Sequence, residues 1–128
     1  MLPAANRMRR EVEFTCAFDG VRARHGKVEL ILGSKEREDN AGFHDPKVGF
    51  IVSKKVGNSV VRHRITRQCR HIVRTWIDNN MLRDDEYLVV RALPGAAGSA
   101  CVVLAHDMAQ ALDKCRNKQE KTSMGEKR

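Results

Sequence analysis

Basic side chains are concentrated in residues 47–77, and this concentration is the strongest chemical signal in the sequence. The segment contains eight Lys or Arg residues and no Asp or Glu. The remaining 16 basic residues are balanced by all 16 acidic residues, so the segment accounts for the formal net charge of +8. Such a local excess predicts a polyanionic partner, either a nucleic acid or an anionic membrane surface. The eight residues are Lys47, Lys54, Lys55, Arg62, Arg64, Arg67, Arg70 and Arg74.

The stretch Ser53–Ser59 combines three features that favour phosphate binding. It leads into a predicted helix, whose unpaired N–H groups and positive dipole end attract anions. Gly57 allows a polynucleotide backbone to approach closely. Lys54, Lys55, Arg62 and Arg64 cluster around the same end. Arginine suits this role because its planar fork binds phosphate bidentately or stacks on a base.

A solvent-exposed charge run, a membrane helix and a DNA-reading helix-turn-helix each fit this pattern less well than a surface that binds nucleic-acid phosphates. A solvated basic face is the usual reason for a charge run, but here no acids accompany the arginines, and like charges three or four residues apart destabilise a helix. A membrane-surface helix would turn Trp and Phe toward lipid, whereas this apolar face has the width of a helix packed on a sheet. A helix-turn-helix DNA reader is also disfavoured, because a strand precedes the basic helix.

No arrangement of residues in the sequence suggests catalysis by the protein itself. No Ser-His-Asp pattern, carboxylate pair or metal-ligand spacing is present, and the five histidines are scattered. We therefore expect no catalytic residue and no metal site. The four cysteines lack C-x-x-C spacing, so we expect them to be reduced and mostly buried.

The elements that must position these residues follow from periodicity and turn signals. We predict a helix from about Arg7 to Phe18, capped by Asn6, and then a hairpin around Gly26. An apolar strand at 47–53 leads into a helix from Ser59 to Asn79, followed by a strand near 87–92. The last helix has apolar positions ending at Cys115 and a polar side that includes Asp107. The strand, helix and strand in the middle form a βαβ unit, with parallel strands and, by default, a right-handed crossover.

The basic helix divides into two faces at 100° per residue. Val61, Ile65, Cys69, Ile72, Val73, Trp76 and Ile77 gather on an apolar face, whereas Arg62, Arg67, Arg70 and Arg74 gather on the opposite one. Phe14 and Phe18 share one face of the first helix, where pattern alone favours a core role for both rings.

The length of 128 residues fits one domain with a single core. No apolar run approaches the roughly 20 residues of a membrane helix, and the N-terminus lacks the apolar core of a secretory signal. We expect a soluble, cytoplasmic protein. The polar residues 117–128 are expected to form a disordered tail.

The run Val48-Gly-Phe-Ile-Val-Ser-Lys-Lys-Val-Gly-Asn-Ser-Val-Val-Arg-His-Arg-Ile-Thr-Arg-Gln-Cys-Arg closely resembles the signature of the protein subunit of bacterial ribonuclease P. The opening residues 2–10 and the helix with Phe14 and Phe18 are also similar to that family, so the likeness spans residues 2 to about 115. Two departures stand out. The family's usual Arg-Asn-Arg reads Arg62-His63-Arg64 here, and Asp19-Gly20 replaces a commonly more basic stretch.

The resemblance implies an α+β fold, an α/β sandwich with the order α-β-β-β-α-β-α. Its mixed, mostly antiparallel sheet carries helices and a left-handed βαβ crossover, contrary to the default handedness. Residues 1–116 would form the single RNA-binding domain. The implied activity is that of a ribonucleoprotein endoribonuclease that removes the 5′ leader from precursor tRNA. Its RNA subunit is the catalyst and uses bound magnesium.

The resemblance also implies two binding surfaces on the protein. Lys54, Lys55, Asn58, Arg62, His63, Arg64, Arg67 and Arg70 would face the ribonuclease P RNA. Phe14, Phe18, Lys47 and Phe50 would line a cleft for the single-stranded leader of precursor tRNA. The alternatives are a non-catalytic RNA-binding or ribosome-associated protein and, less favoured, a metal-dependent protein nuclease. DNA and membranes are not expected as partners.

Overall fold

In the residues that the structure describes, three helices and four strands follow one another in the order α-β-β-β-α-β-α, as expected from the sequence. The computed structural model describes residues 6–8, 11–34, 46–83, 86–98 and 100–126. The elements are α1 (Glu11–Phe18), β1 (Val21–His25), β2 (Val28–Ser34), β3 (Lys47–Val52), α2 (Ser59–Asp78), β4 (Glu86–Ala92) and α3 (Cys101–Glu126), with a short 3-10 turn at Ala96–Gly98.

The strands form one mixed sheet in the order β1-β2-β4-β3. β1 pairs with β2 and β2 with β4 in antiparallel fashion, whereas β3 and β4 are parallel on either side of α2. The mostly antiparallel sheet and the βαβ unit are therefore confirmed. The left-handed sense of the crossover stays a prediction from the resemblance.

Each face of the sheet packs against different helices. On one face, which we call the α1 face, Ala17 of α1 packs with Ile31, Tyr87 and Val89. The larger core lies on the other face, under α2 and α3, and contains Leu30, Leu32, Leu88, Val90, Ile65, Leu104 and Met108. Because side chains alternate along a strand, each strand residue can be assigned to one of these faces.

Helix α2 begins and ends close to where the sequence predicts. Asn58 caps it, because its Oδ1 accepts a hydrogen bond from the backbone N–H of Val61 at 3.0 Å. Asn80, with a positive φ of 57°, follows its last turn. The buried residues Ile65, Cys69, Ile72, Val73 and Trp76 confirm the predicted apolar face. This face anchors α2 and leaves the opposite side to solvent.

The N-terminal segment is not helical from Arg7, so the predicted start of α1 is wrong. Arg7 forms a parallel bridge with Val48, and the Met8 N–H donates to the Val48 carbonyl at 3.1 Å. Asn6 does not cap a helix; its buried side chain donates to the Pro46 carbonyl at 2.9 Å. These bonds satisfy backbone groups on the edge of β3, which local propensity at residues 6–8 does not reveal.

Helix α3 runs to Glu126, so residues 117–126 are helical instead of forming the expected tail. Glu86 is only 2% exposed, and its carboxylate accepts hydrogen bonds from both terminal nitrogens of Arg116. Lys118 donates to the Arg22 carbonyl. Polar residues of α3 therefore also contact the sheet, which keeps the helix ordered past its last buried apolar residue, Cys115.

Asp107 was expected on the polar side of α3 but is 8% exposed. Its carboxylate lies under the β1–β2 turn, where a Cβ on Gly26 would come 2.2 Å from its Oδ2 atom. The Oδ1 atom is 3.9 Å from His25 Nε2. The expectation for Asp107 was wrong because the β1–β2 turn covers part of the polar side of α3, which the apolar pattern of the helix does not reveal.

Candidate nucleic-acid interface

The β3–α2 junction presents two lysines on a loop that is anchored from below. Val56 is buried, and its N–H donates to the Ser53 carbonyl at 3.1 Å. Lys54 and Lys55 are the two central residues of this tight turn, and both are exposed. Asn58, which is predicted to lie at an RNA surface, also has a structural role because its side chain caps α2. The junction therefore holds two cations close to the positive end of the α2 dipole.

The exposed side of α2 carries most of the predicted RNA-binding residues. His63, Arg64, Arg67 and Arg70 are exposed. Arg64 also donates from Nη2 to the Ala97 carbonyl at 2.8 Å, so it is held toward the β4–α3 connection. The Arg70 guanidinium lies 6.0 Å from the centre of the Phe50 ring, at the outer limit of a cation–π contact.

Arg62 does not lie on the basic face, so its predicted grouping with Arg67, Arg70 and Arg74 is wrong. It is half-buried, and its Nε atom is buried without a hydrogen-bond partner in the described part of the chain. The reason is spacing, because Arg62 precedes Ile65 by three residues and Cys69 by seven, which sets it beside the apolar face. Only its outer end can reach a ligand.

The α1 face holds both phenylalanines of the first helix. Phe14 is half-buried and packs on Gly49 of β3, where a Cβ would come 2.6 Å from its ring. Phe18 is 37% exposed, and the Arg22 guanidinium of β1 lies 5.3 Å from the centre of its ring. The two rings therefore face different strands, and the outer one is paired with a cation.

Lys47 and Phe50 separate in the structure, although they were predicted to share one cleft. Lys47 lies on the same face of β3 as Gly49 and Ile51, which contact the α1 side, because side chains alternate along a strand. Lys47 is half-buried on that face. Phe50 lies on the opposite face of β3 and packs against the core under α2. A cleft between α1 and the sheet therefore excludes the Phe50 ring, and that prediction is wrong.

The buried cysteines are not poised for chemistry. Burial raises the pKa of the Cys69 thiol to about 12, with a smaller contribution from Cys101. Burial also raises the pKa of Cys115, to about 11. Cys69 and Cys115 are buried, which agrees with the expectation of mostly buried thiols, whereas Cys101 is exposed; these three described cysteines are free. Both buried thiols stay protonated near neutral pH, so neither is a nucleophile.

In the part of the chain that the structure describes, no three His, Cys, Asp or Glu side chains converge as metal ligands would. Within the same residues, no helix combines the length and the apolar character that crossing a membrane requires. The arrangement as a whole supplies cations, aromatic rings and a helix N-terminus. Groups of these kinds are suited to binding the backbone and the bases of a nucleic acid.

Four basic residues outside segment 47–77 were missed by the sequence reasoning. Arg22 and Arg24 of β1, Lys27 of the following turn and Arg91 of β4 lie on or beside the α1 face. The alternation of Arg22 and Arg24 was a readable signal, because it implies that both point to one side of the sheet. The nearly even charge balance outside the segment concealed it.

The fold and these surfaces define a nucleic-acid-binding α+β protein whose basic helix connects two parallel strands of a mixed sheet. A model of the family Ribonuclease P matches residues 2–116. The ribonuclease P protein component of Mycobacterium sp. (strain KMS) is 40% identical over 121 residues, covering 94% of this chain and 98% of the relative. That of Rhodococcus erythropolis (strain PR4 / NBRC 100887) is 37% identical over 118 residues, covering 89% and 91%. The chain belongs to the ribonuclease P protein family.

Solved structures show the same fold. The RNase P protein of Staphylococcus aureus has a TM-score of 0.67 at 18% identity, covering 84% of this chain and 93% of that one. The protein from Thermotoga maritima has a TM-score of 0.66 at 16% identity, with coverage of 84% and 96%. The family provides the protein subunit of the ribonucleoprotein that removes the 5′ leader from precursor tRNA. This role excludes the alternative of a binding protein without a processing activity.

Proposed function

We propose that two surfaces of the protein, on opposite faces of β3, bind different RNAs within this ribonucleoprotein. The α1 face, with Phe14, Phe18 and Lys47, binds the single-stranded leader of precursor tRNA. The junction and the exposed side of α2 bind the ribonuclease P RNA near its catalytic centre. The observation that carries the proposal is the separation of aromatic and basic groups, with Phe14 on one face of β3 and the basic helix on the other.

The leader surface is supported by the exposure of its outer ring and by its cations. Phe18 is partly exposed and lies against Arg22, so a base could stack on the ring while the guanidinium meets a phosphate. Base–aromatic stacking contributes about 1–3 kcal/mol per base and tolerates many sequences, as binding of varied leaders requires. Gly49 supports this surface because it leaves the space in which Phe14 packs.

The RNA-subunit surface comprises Lys54, Lys55, Asn58, Arg62, His63, Arg64, Arg67 and Arg70. Within the described residues, no carboxylate forms a salt bridge with Lys54, Lys55 or Arg67. These side chains are therefore available for phosphates, and the α2 N-terminus adds its own positive end. Arg62 contributes through its outer end, and the exposed His63 ring offers one hydrogen bond in place of the family's Asn amide.

Magnesium belongs to the RNA subunit in this proposal. The described side chains do not converge into a carboxylate-rich set of the kind that holds magnesium, whereas phosphates are its common ligands. The protein acts by contributing positive charge beside the folded RNA, which lowers the concentration of magnesium needed for the active assembly. We place this activity in the cytoplasm, as expected for the processing of bacterial precursor tRNA.

The leader assignment is tested by Phe14→Ala, with Phe50→Ala as the matched control on the opposite face of β3. Holoenzyme is reconstituted with ribonuclease P RNA, and the dissociation constants of precursor tRNA and of mature tRNA are measured. Loss of stacking should weaken binding of the precursor about 5- to 150-fold for Phe14→Ala, while binding of mature tRNA changes little. Phe50→Ala should leave the ratio of the two affinities unchanged.

Two results would contradict the assignment. An equal loss for precursor and mature tRNA would mean that Phe14 supports the whole particle and does not contact the leader. A shift in the affinity ratio for Phe50→Ala as large as that for Phe14→Ala would mean that the two faces are not separated in function. Circular dichroism of each free variant establishes that the protein is folded.

A further inference from the structure

A basic cavity of about 370 Å³ opens at the end of the sheet where β1, β3 and β4 finish. Arg24 of β1 and Arg91 of β4 line it from the α1 face, where they flank Glu29 of β2, the register partner of both. Lys27 comes from the β1–β2 turn and Lys55 from the β3–α2 junction. Ser53, Leu93 and Pro94 complete the walls. Four separate segments therefore direct cations at one concave space.

The positive charge of this cavity is only partly neutralised. The Arg91 guanidinium lies 3.5 Å from the Glu29 carboxylate. Among the described residues, no carboxylate forms a salt bridge with Arg24, Lys27 or Lys55. Three cations that form no salt bridge within the described residues surround one concave site, and the positive potential they create there attracts an anion.

The walls of the cavity are fixed by the fold. The Leu93 N–H donates to the Lys27 carbonyl at 2.9 Å, which ties the turn to the β4–α3 loop. Gly95 has a φ of 98°, and its missing Cβ leaves room for the Lys27 side chain, whose Cε would lie 3.1 Å from that atom. Asp107 supports the turn from beneath Gly26. A ligand would meet a site that requires little reorganisation, which favours binding.

We propose that this cavity binds a phosphate of an RNA backbone. Arg24 supplies the planar fork that bonds phosphate bidentately, and Lys27 and Lys55 supply point charges on flexible stems. Arg91 adds a fourth charge that can exchange its long contact with Glu29 for the ligand. A phosphate contact carries no sequence information, so we expect the site to be indifferent to sequence.

The leader is the expected source of this phosphate, an assignment that rests on the proposed function. Ile51 lies two residues beyond Gly49 on the same side of β3, and Arg91 is its register partner. A strand that stacks at Phe14 therefore reaches the cavity after about 7 Å along the sheet. The ribonuclease P RNA is the second possible source, because Lys55 also belongs to the junction surface.

The cavity itself is tested on the free protein with inorganic phosphate as the probe. Amide chemical shifts are followed by nuclear magnetic resonance while phosphate replaces chloride at constant ionic strength. We expect saturable shifts at Gly26, Lys27 and Leu93, and their loss in the double variant Arg24→Gln with Lys27→Gln. Unchanged amides at these three positions in the original protein, or identical shifts in the variant, would overturn the proposal.

The source of the phosphate is tested in the reconstituted holoenzyme with precursor tRNA that has a long leader or none. Arg83→Gln is the control for charge, because Arg83 is exposed at the other end of β4. We expect the double variant to weaken binding of the long-leader precursor roughly tenfold and to reduce the log–log salt slope by about 0.7, the value for one phosphate on a single strand. Binding of leaderless tRNA should not change.

The remaining outcomes separate the two proposals. A loss that appears instead as weaker assembly with the ribonuclease P RNA, and is equal for both substrates, assigns the phosphate to the RNA subunit. If the double variant and Arg83→Gln give the same substrate affinities, salt slope and assembly with the ribonuclease P RNA, the cavity does not bind RNA and the proposal is overturned. If the original holoenzyme shows no preference for leader-bearing substrate, the proposed leader surface fails, while the phosphate titration still decides whether the cavity binds an anion.

Discussion

Arg62 and Arg67 carry the same guanidinium five residues apart on α2, yet their surroundings differ. Arg67 is exposed, whereas the Nε of Arg62 is buried beside the apolar face. Removing Arg62 therefore disturbs packing as well as charge, since the stem of an arginine covers apolar surface. Arg64 carries a similar complication through its bond to Ala97. For this reason Arg67 and Arg70 are the cleaner probes of the RNA-subunit surface.

Cys69 gives a prediction at the residue scale, because burial raises its pKa from 9.0 to about 12. Below pH 9 the thiol is protonated in both the folded and unfolded states. Above pH 9 the unfolded state loses this proton and the folded state keeps it, so stability decreases as pH rises toward 12. Between pH 7 and pH 10 the free energy of unfolding should fall by about 1.4 kcal/mol from this thiol alone.

Urea unfolding of the original protein and of Cys69→Val measures this contribution. The variant should differ by less than about 1.5 kcal/mol at pH 7, since valine nearly conserves the volume. Its loss of stability up to pH 10 should be smaller by about 1.4 kcal/mol, the contribution of the missing thiol. All other side chains are the same in both proteins, so their contributions cancel in the comparison. Parallel pH curves would show that Cys69 ionises in the folded protein as easily as in the unfolded chain.

Helix α2 combines two requirements that its sequence keeps on separate sides. The apolar side, anchored by Ile65, Val73 and Trp76, packs on the core, and the exposed side carries like charges. Arg67 and Arg70 stand three residues apart, a spacing at which like charges destabilise a helix by about 0.2–0.5 kcal/mol. An RNA that neutralises both charges removes this cost.

Arg67→Gln and Arg70→Gln, tested singly and together, should weaken assembly of the holoenzyme without destabilising the protein. We expect cleavage of precursor tRNA to slow several-fold at low magnesium and to recover at high magnesium, because added cations replace the lost charge. Arg83→Gln controls for net charge, and thermal unfolding of the free variants should be unchanged or slightly improved. Equal rates at low magnesium would contradict the assignment of α2 to the RNA subunit.

The elements with strong periodicity were predictable from the sequence. The apolar face of α2, its cap at Asn58 and the β1–β2 hairpin all follow from local patterns. The start of α1 was not predictable, because Asn6 bonds to Pro46, 40 residues away. Helical residues 117–126 also escaped prediction, since Arg116 and Lys118 are held by contacts with distant parts of the chain.

The candidate site was predictable in its residue types but not in its geometry. The charge excess identified the junction and α2, but β3 is apolar on both faces, so its pattern does not tell which face Phe50 takes. Arg24, Lys27, Lys55 and Arg91 come together only through the pairing of the strands and the turn at the sheet end. Their separation in the sequence leaves no local signal of a shared cavity.

At the scale of the whole molecule, the sheet separates the two proposed RNA surfaces while keeping them connected. β3 contributes Gly49 and Ile51 to the α1 face and continues directly into the Lys54–Lys55 junction. The ion pair between Glu86 and Arg116 fixes α3 to the start of β4, opposite the basic cavity. A substrate strand and the catalytic RNA can thus be held a short distance apart by one rigid strand.

The formal net charge of +8, concentrated in residues 47–77, predicts how assembly with the ribonuclease P RNA responds to salt. If six to eight phosphates are neutralised, the plot of log affinity against log potassium chloride should have a slope between about −4 and −7. The double variant Arg67→Gln with Arg70→Gln should reduce its magnitude by about 1.4–1.8, the value for two lost contacts. Filter binding at 50–400 mM salt, roughly the range over which such slopes are resolved, measures both. A shallow slope near −1 would mean that the charge serves mainly solubility, and an unchanged slope in the variant would move the contacts away from α2.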